Sequence, residues 1–314
     1  MKLLCILAFA FAGVFADQIP PFFGDTVVAL GRTDTQVAGQ PPEWTTEASG
    51  FLYGYLAKND PDPSKRSYEV YLVTNRHVLS NHGFIWARFN PEKARGEVKQ
   101  FQIMLKDDKG QDLWFSLPDP KVDISVVQLN PQYLREQSLK VQFFQSDVHV
   151  ADKAKIREIG LAAGDGVFVL GFPMGISGAQ RNYVIARHGS IARISDLLDS
   201  VDDTFLIDAL VFPGNRGGPV VSEPSLMAIS GTKTQNSAFL IGVVRGYLPY
   251  NDFAVSQQTG QVRAIFQENS GLAEVIPIDS VNMLLTLGMR FVTSEPRERD
   301  NSFGQRRIAR SPHS

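Results

Sequence analysis

Short apolar stretches separated by polar, turn-forming residues follow one another from about residue 25 to residue 276. The stretches are rich in Val, Ile, Leu, Phe and Tyr, a composition typical of β-strands. Connections such as 59–64 and 107–110 contain the Asn, Asp, Pro and Gly residues that set turn dihedral angles, so neighbouring strands are predicted to form antiparallel hairpins. The first set of predicted strands covers residues 26–30, 50–56, 69–74, 84–89, 100–105, 113–116 and 124–129.

A second set of strands follows a segment without a strand pattern. Residues 131–139 have weak helical spacing and residues 146–160 are mostly polar, so a linking segment is predicted there. Asp279 is then predicted to cap a short amphipathic helix over 280–287 that ends near Gly288. The pattern predicts an all-β fold with two sets of antiparallel strands, the first a plausible barrel, and a C-terminal helix. The second set comprises residues 166–171, 182–186, 189–194, 204–210, 219–222, 238–244 and 272–276.

The two ends of the chain differ from this β-rich region. Met1 and Lys2 precede an apolar run over 3–15, and Val14 and Ala16 fit a cleavage site, so residues 1–16 are predicted to be a signal peptide. The mature protein is therefore expected to be secreted or periplasmic, without a membrane-spanning segment. The predicted domain covers 17–292, with a first barrel over about 25–145 and a second over about 160–290. Residues 293–314, rich in Arg, Glu, Ser and Pro, are predicted to be disordered.

Composition and charge narrow the range of functions. The chain has 31 Lys and Arg against 33 Asp and Glu, so no overall positive field would attract nucleic acid, and none is expected as a partner. The single cysteine, Cys5, lies in the predicted signal peptide, so no disulfide is expected, which favours a bacterial exported protein. No spacing of His and Cys fits zinc, and neither a metal nor a cofactor is predicted.

Three short segments carry candidate chemistry, in the order histidine, aspartate and glycine-rich turn. Thr-Asn-Arg-His-Val at 74–78 contains His77, Val-Asp-Ile-Ser-Val at 122–126 contains Asp123, and Pro-Gly-Asn-Arg-Gly-Gly-Pro occupies 213–219. In acyl transfer an imidazole takes the proton of an attacking hydroxyl, and a carboxylate orients the imidazole. Glycines allow backbone N–H groups to point at the oxyanion.

These segments, with Gly-Asp-Gly-Val-Phe-Val-Leu-Gly-Phe-Pro-Met-Gly at 164–175, resemble those of trypsin-like serine peptidases over about residues 25–290. The resemblance is greatest to the disulfide-free bacterial HtrA/Deg branch. It implies two six-stranded antiparallel β-barrels and a catalytic pair of His77 and Asp123. It also implies an oxyanion-hole loop at Gly214, Asn215 and Arg216. The chain departs from the family pattern at Arg216, which stands where the family has the nucleophilic serine.

Arginine can serve neither as nucleophile nor as base, because its guanidinium stays protonated. One hypothesis is that Arg216 fills the cleft and pairs with a carboxylate, for which Asp123 is one candidate, and keeps His77 neutral by charge repulsion. A guanidinium turned to solvent would contradict it. Asp119 is a competing carboxylate, but its Pro-flanked position is typical of a turn. Three serines are candidate replacement nucleophiles, but none is expected to face the histidine: Ser190, Ser195 and Ser222.

The resemblance also implies a substrate pocket based at Leu210 and walled by residues 242–246, with Gly242, Val243 and Val244 among them. The strand Val243-Val244-Arg245 is expected to accept an extended peptide by strand addition. The first functional hypothesis is a pseudoprotease that binds a peptide or protein without hydrolysis. The alternatives are an active serine endopeptidase and a scaffold domain of an exported assembly, and the scaffold would have no preserved cleft.

Overall fold

Strands dominate both halves of the chain in the computed structural model, which describes residues 19–34, 43–93, 95–225, 233–294 and 308–310. The predicted signal peptide lies outside these residues. The first half contains β1 (Val27–Asp34), β2 (Glu43–Lys58), β3 (Ser67–Thr74), β4 (Phe84–Phe89), β5 (Lys99–Met104), β6 (Trp114–Ser116), β7 (Ser125–Leu129) and β8 (Phe144–Gln145). The second half contains β9 (Gly166–Gly171), β10 (Ile185–Arg193), β11 (Phe205–Asp208), β12 (Pro219–Ser222), β13 (Leu240–Val255) and β14 (Val262–Pro277). A short β15 (Ile308–Arg310) follows.

The helices are mostly short and lie in the connections. Among the described residues, none is long and apolar enough to span a membrane. Two 3₁₀ turns occupy Pro63–Lys65 and Pro173–Gly175. The α-helices are α1 (Pro21–Asp25), α2 (Arg76–Leu79), α3 (Pro131–Glu136), α4 (Lys153–Ile159), α5 (Ser195–Leu198) and α6 (Ile278–Ser294).

The strands of the first half form one curled sheet, which β15 extends at one edge, in the order β15-β5-β4-β1-β2-β3-β7-β6, and β8 adds to β2 in parallel. A bridge between Lys106 and Asp112 places the chain after β5 beside the chain that enters β6. Apolar side chains alternate along the strands and fill the concave face. Leu30, Leu72 and Ile103 are among the fully buried residues there.

The second half is a closed six-stranded barrel in the order β10-β11-β14-β13-β12-β9. Val169, Ile207 and Val275 are fully buried inside it. Together with the curled first sheet, this confirms the predicted all-β double-barrel fold. The strands predicted at 182–186 and 189–194 are one strand, β10, because Gly189 continues the pairing with β9 instead of ending it.

Several elements differ from their predicted limits. The linking segment at 146–160 contains helix α4, which Asp152 caps by accepting the Lys155 N–H. Helix α6 begins at Ile278 and continues through Gly288 to Ser294, so Asp279 lies in its first turn and accepts the Lys153 N–H instead of capping it. Ile308–Arg310 pairs with β5. The remaining tail residues lie outside the described part.

Strands β13 and β14 extend well beyond the predicted 238–244 and 272–276. They leave the barrel as a two-stranded hairpin that pairs from Pro249 and Asn269 to Val255 and Val262. Its large apolar side chains are more than half exposed: Tyr250, Phe253, Val255, Val262, Ile265 and Phe266.

A third apolar cluster joins the two halves. It combines residues of the first sheet, such as Phe51, with residues of the second barrel, such as Phe172, and with Val281 and Leu284 of helix α6. Phe23 of helix α1 stacks edge-on against Phe144 in the same cluster. The candidate site is formed where loops from both halves meet at this junction.

Candidate active site

His77 and Asp123 are brought together by the pairing of two neighbouring strands. His77 is the second residue of helix α2, directly after β3, and Asp123 precedes β7. Strands β3 and β7 are antiparallel with Thr74 opposite Ser125, so the end of one and the start of the other lie side by side. Because each residue lies beside one of these paired strand ends, the two side chains are brought together.

The two side chains are in direct contact. His77 Nδ1 lies 2.6 Å from Asp123 Oδ2, and the His77 backbone N–H donates to Asp123 Oδ1 at 3.0 Å. The amide of Asn75 donates to the Asp123 carbonyl at 2.8 Å. One carboxylate thus holds both the ring and the backbone of the histidine, an arrangement that orients the imidazole for proton transfer.

The electrostatic environment keeps Asp123 ionised. Its side chain is 18% exposed, and that of His77 is 44% exposed. Burial opposes ionisation, but the hydrogen bonds from His77 and the favourable electrostatic interactions with His77 and Arg245 outweigh it and lower the pKa of the carboxyl below its ordinary value. Arg245 is itself held by Glu274, with Nη1 and Oε1 2.8 Å apart.

The glycine-rich turn at 213–219 is held by its backbone. The Ser49 hydroxyl donates to the Gly214 carbonyl at 2.6 Å, and the Ser49 N–H donates to the Arg216 carbonyl at 2.9 Å. On the barrel side the Gly217 N–H donates to the Val244 carbonyl at 3.0 Å. Gly214 and Gly217 have φ of +97° and +80°, the left-handed region that favours glycine. The turn is therefore fixed between strand β2 of the first sheet and strand β13 of the barrel.

Two N–H groups of this turn have no acceptor among the described residues. They belong to Gly214 and Arg216, two of the residues that were predicted to form an oxyanion loop. The Pro213 carbonyl accepts the Met174 N–H at 2.7 Å, so it is engaged elsewhere. Asn215, the third predicted residue, is fully buried and accepts the Phe212 N–H through Oδ1. The turn thus offers N–H donors, while Asn215 has a supporting position.

The side chain of Arg216 is exposed and extends toward strand β13. Its Nε lies 3.5 Å from the position that a Cβ at Gly246 would occupy. Within the described residues its guanidinium forms neither an ion pair nor a hydrogen bond. The hypothesis that Arg216 pairs with Asp123 is therefore wrong, because the carboxylate of Asp123 is already occupied by His77.

The predicted pocket is not found at Gly242, Val243 and Val244. Both valines are fully buried, Val243 in the cluster that joins the halves and Val244 in the barrel core. A Cβ at Gly242 would lie 2.6 Å from the Ile276 carbonyl oxygen, so no space exists there. Leu210 is 48% exposed but does not line the cavity beside His77. These strand positions point into the protein, because the alternation along β13 directs them to the two cores.

The site predicted for strand addition also shifts along β13. At Val243 both edges are occupied, by Pro219 of β12 and Ile276 of β14. Val244 exchanges hydrogen bonds with Gly217 and Gly218 of the turn. Beyond it, Gly246 and Tyr247 pair only with β14 among the described strands, so the open edge begins after Val244.

A cavity of about 730 Å³ lies beside His77 on the side of the first sheet. Its wall combines apolar side chains with His77, Arg216 and the Arg32–Glu47 ion pair. Ser190, Ser195 and Ser222 do not line it, and the Ser222 hydroxyl is buried and accepts the Phe239 N–H. The apolar lining includes Leu30, Val78, Phe84, Ile85, Trp86 and Tyr247.

Other polar groups do not form a second centre. Asp119 is exposed and accepts the Lys121 N–H in a turn, as its sequence context predicts. In the part of the chain that the structure describes, no cluster of three or more His, Cys, Asp or Glu side chains could hold a metal ion.

A β-barrel, a curled sheet and a His–Asp pair next to a glycine-rich turn define the class of chymotrypsin-like peptidase folds. The family model of the trypsin-like peptidase domain matches residues 48–225, more than half of the chain, which therefore belongs to this family. No curated protein sequence matches. A solved structure, the MamO protease domain from Magnetospirillum magneticum in its apo form, is similar with 15% identity and a TM-score of 0.41. The match covers 84% of this chain and 97% of that one.

Ser49 is the site residue that sequence reasoning missed. Its hydroxyl accepts the Phe172 N–H and donates to the Gly214 carbonyl, so it connects two segments of the second half to β2. The predicted strand at 50–56 begins one residue after it, and a serine before a glycine is typical of a turn. The only signal in the sequence is a small hydroxyl residue beside an apolar strand.

Proposed function

We propose that this protein is a secreted, inactive homologue of trypsin-like serine peptidases that holds polypeptide segments in its cleft. The proposal depends above all on Arg216, which takes the place of the nucleophilic serine in the turn beside a His77–Asp123 pair 2.6 Å apart. A guanidinium supplies no attacking oxygen, so the proton acceptor has no nucleophile to activate.

Retention of the cleft supports a binding role over a purely structural one. A scaffold needs neither a cavity beside the histidine nor N–H groups without acceptors, and both are present in the described residues. The open edge of β13 after Val244 lies beside the Arg216 side chain and can pair with an extended chain. The signal-peptide pattern at 1–16 supports export. The segments around His77, Asp123 and Gly214 support a relationship to the HtrA/Deg branch.

Hydrolysis of casein by the purified chain tests the loss of activity. The parent protein should release no fragments, whereas Arg216→Ser should restore hydrolysis by at least about 10³-fold over the parent, because loss of one triad member removes most of the rate. The double variant Arg216→Ser, His77→Ala is the matched control and should again be inactive.

The alternative of an active serine endopeptidase makes the opposite prediction. If the parent itself cleaves casein and His77→Ala abolishes the cleavage, another residue is the nucleophile and the proposal is wrong. If the parent is inactive and Arg216→Ser cleaves, Arg216 alone accounts for the lost activity.

A further inference from the structure

The charge balance of the cavity beside His77 leaves one cation without a partner. Arg32 and Glu47 neutralise each other at 2.9 Å, and His77 is paired with Asp123. Arg216 has no acidic partner among the described residues, although its side chain lies in the same wall. His82 and Tyr247 are the remaining titratable residues of the lining. The cavity therefore has an excess positive charge at Arg216.

Hydrogen-bond donors lie next to this charge. The backbone N–H groups of Gly214 and Arg216 have no acceptor within the described part of the chain. A planar guanidinium with nearby N–H groups suits a carboxylate, which offers two oxygens and several lone pairs. A neutral peptide carbonyl would use the N–H groups but would leave the guanidinium unpaired.

The rest of the cavity wall is apolar, so the group that carries the carboxylate is expected to be apolar too. Val78, Phe84 and Trp86 give the wall an apolar surface within a volume of about 730 Å³, which is in the range of small-ligand sites and is large enough for a short peptide segment. An apolar residue placed there would exclude water from the guanidinium and strengthen a charge-assisted hydrogen bond.

We propose that this cavity binds a carboxylate on an apolar peptide segment, with the Arg216 guanidinium as its ion-pair partner. The inference depends on the proposed function in that it assumes peptide binding in the cleft. The carboxylate can come from the C-terminus of a chain or from an Asp or Glu side chain, and the two sources share the same chemistry at Arg216. Substitution of the nucleophile would thus have replaced recognition of a peptide bond by recognition of an anion.

Calorimetric titration of the full chain with three peptides tests this inference. The probes are acetyl-Ala-Ala-Leu as the free acid, the same peptide as its C-terminal amide, and amidated acetyl-Ala-Glu-Leu. The free acid or the glutamate peptide should bind about tenfold more tightly than the neutral amide. A preference for the free acid identifies a chain terminus, and a preference for the glutamate peptide identifies a side chain.

Two variants show whether Arg216 is responsible. Arg216→Gln should abolish the preference for a carboxylate. Arg263→Gln, which removes the same charge from an exposed position on the projecting hairpin, should leave it unchanged. Equal affinity for acid and amide, a preference that survives Arg216→Gln, or no binding of any probe would overturn the inference. Casein hydrolysis tests the proposed inactivity separately. A negative result in the peptide titration would therefore leave the conclusion on catalytic activity unchanged.

Discussion

The two halves of the molecule contribute to the cleft in different ways. The first sheet supplies the side chains of His77 and Asp123. The Asp123 carboxylate forms hydrogen bonds with both the ring and the backbone N–H of His77. The second barrel supplies a turn held by backbone groups, from which the side chain of Arg216 projects without a partner among the described residues. The side chain at 216 could therefore change without disturbing the turn that carries it.

This contrast explains how the side chain at 216 can vary while the turn keeps its geometry. The carbonyls of Gly214 and Arg216 bond to Ser49, and such bonds do not depend on the side chain at 216. Asp123, by comparison, holds His77 through its own carboxylate oxygens, so substitution there alters both electrostatics and position. Substitution is therefore expected to be tolerated at position 216 but not at the glycines of the turn. In the first sheet, substitution of Asp123 is expected to be harmful.

The largest effect is expected for Gly217→Ala. Gly217 has φ of +80°, and a Cβ there would lie 2.3 Å from both the Ser49 carbonyl oxygen and Thr74 Oγ1. Backbone strain and the clash with β2 and β3 should together lower the free energy of unfolding by about 3 kcal/mol. Guanidinium-induced unfolding, followed by tryptophan fluorescence, measures the change.

Gly260→Ala is the matched control for this prediction. Gly260 has φ of +67° in the projecting hairpin, and no atom lies within 4 Å of its Cβ position. It should therefore lose only about 1 kcal/mol, the cost of the backbone conformation alone. Equal losses in the two variants would show that contact with the first sheet does not fix the turn.

Asp123→Asn should have an intermediate effect that depends on pH. Because the folded-state pKa of Asp123 is lowered from 3.8, the ionised carboxylate stabilises the folded protein above pH 3.8, and this contribution disappears as pH falls through the lower folded-state value. The variant should be about 1 kcal/mol less stable at pH 7, with the half-exposed histidine partner limiting the loss. The difference should shrink steadily below pH 3.8.

Unfolding curves of parent and variant from pH 7 to pH 3 measure this dependence. Asp119→Asn serves as the control, since asparagine can also accept the Lys121 N–H in that exposed turn. A stability gap of Asp123→Asn that stays constant as the pH falls would show that the effect is steric and not due to the charge.

Features that depend on neighbouring residues or on adjacent strands could be predicted from the sequence. His77 and Asp123 each lie next to a recognisable strand, and the pairing of β3 with β7 then brings them together. The two sets of strands followed from apolar runs and turn residues, and the double barrel followed from the resemblance to trypsin-like peptidases. Prediction failed at Gly189, where a glycine between two apolar runs suggested a break, although β10 continues through it.

Features that depend on distant contacts could not be predicted. The Ser49–Gly214 hydrogen bond spans 165 residues of sequence. The direction of the Arg216 side chain depends on space above Gly246, a property of strand β13 and not of the turn. The projecting hairpin was missed because Pro249, Asn251 and Asp252 are typical of loops, whereas cross-strand pairing with β14 keeps them extended.

The smallest effect is expected for the stability of Arg216→Ser. The guanidinium is exposed and has no partner among the described residues, so its removal should change the free energy of unfolding by less than about 0.5 kcal/mol. Arg88→Ser is the matched control: Arg88 is 3% exposed and donates to Ser177 Oγ and the Gly178 carbonyl, and it should lose about 3 kcal/mol. A loss above 1 kcal/mol for Arg216→Ser would mean that this arginine stabilises the turn. A negligible loss would mean that position 216 is free to specify what the cleft binds, since contacts other than its side chain maintain the shape of the turn.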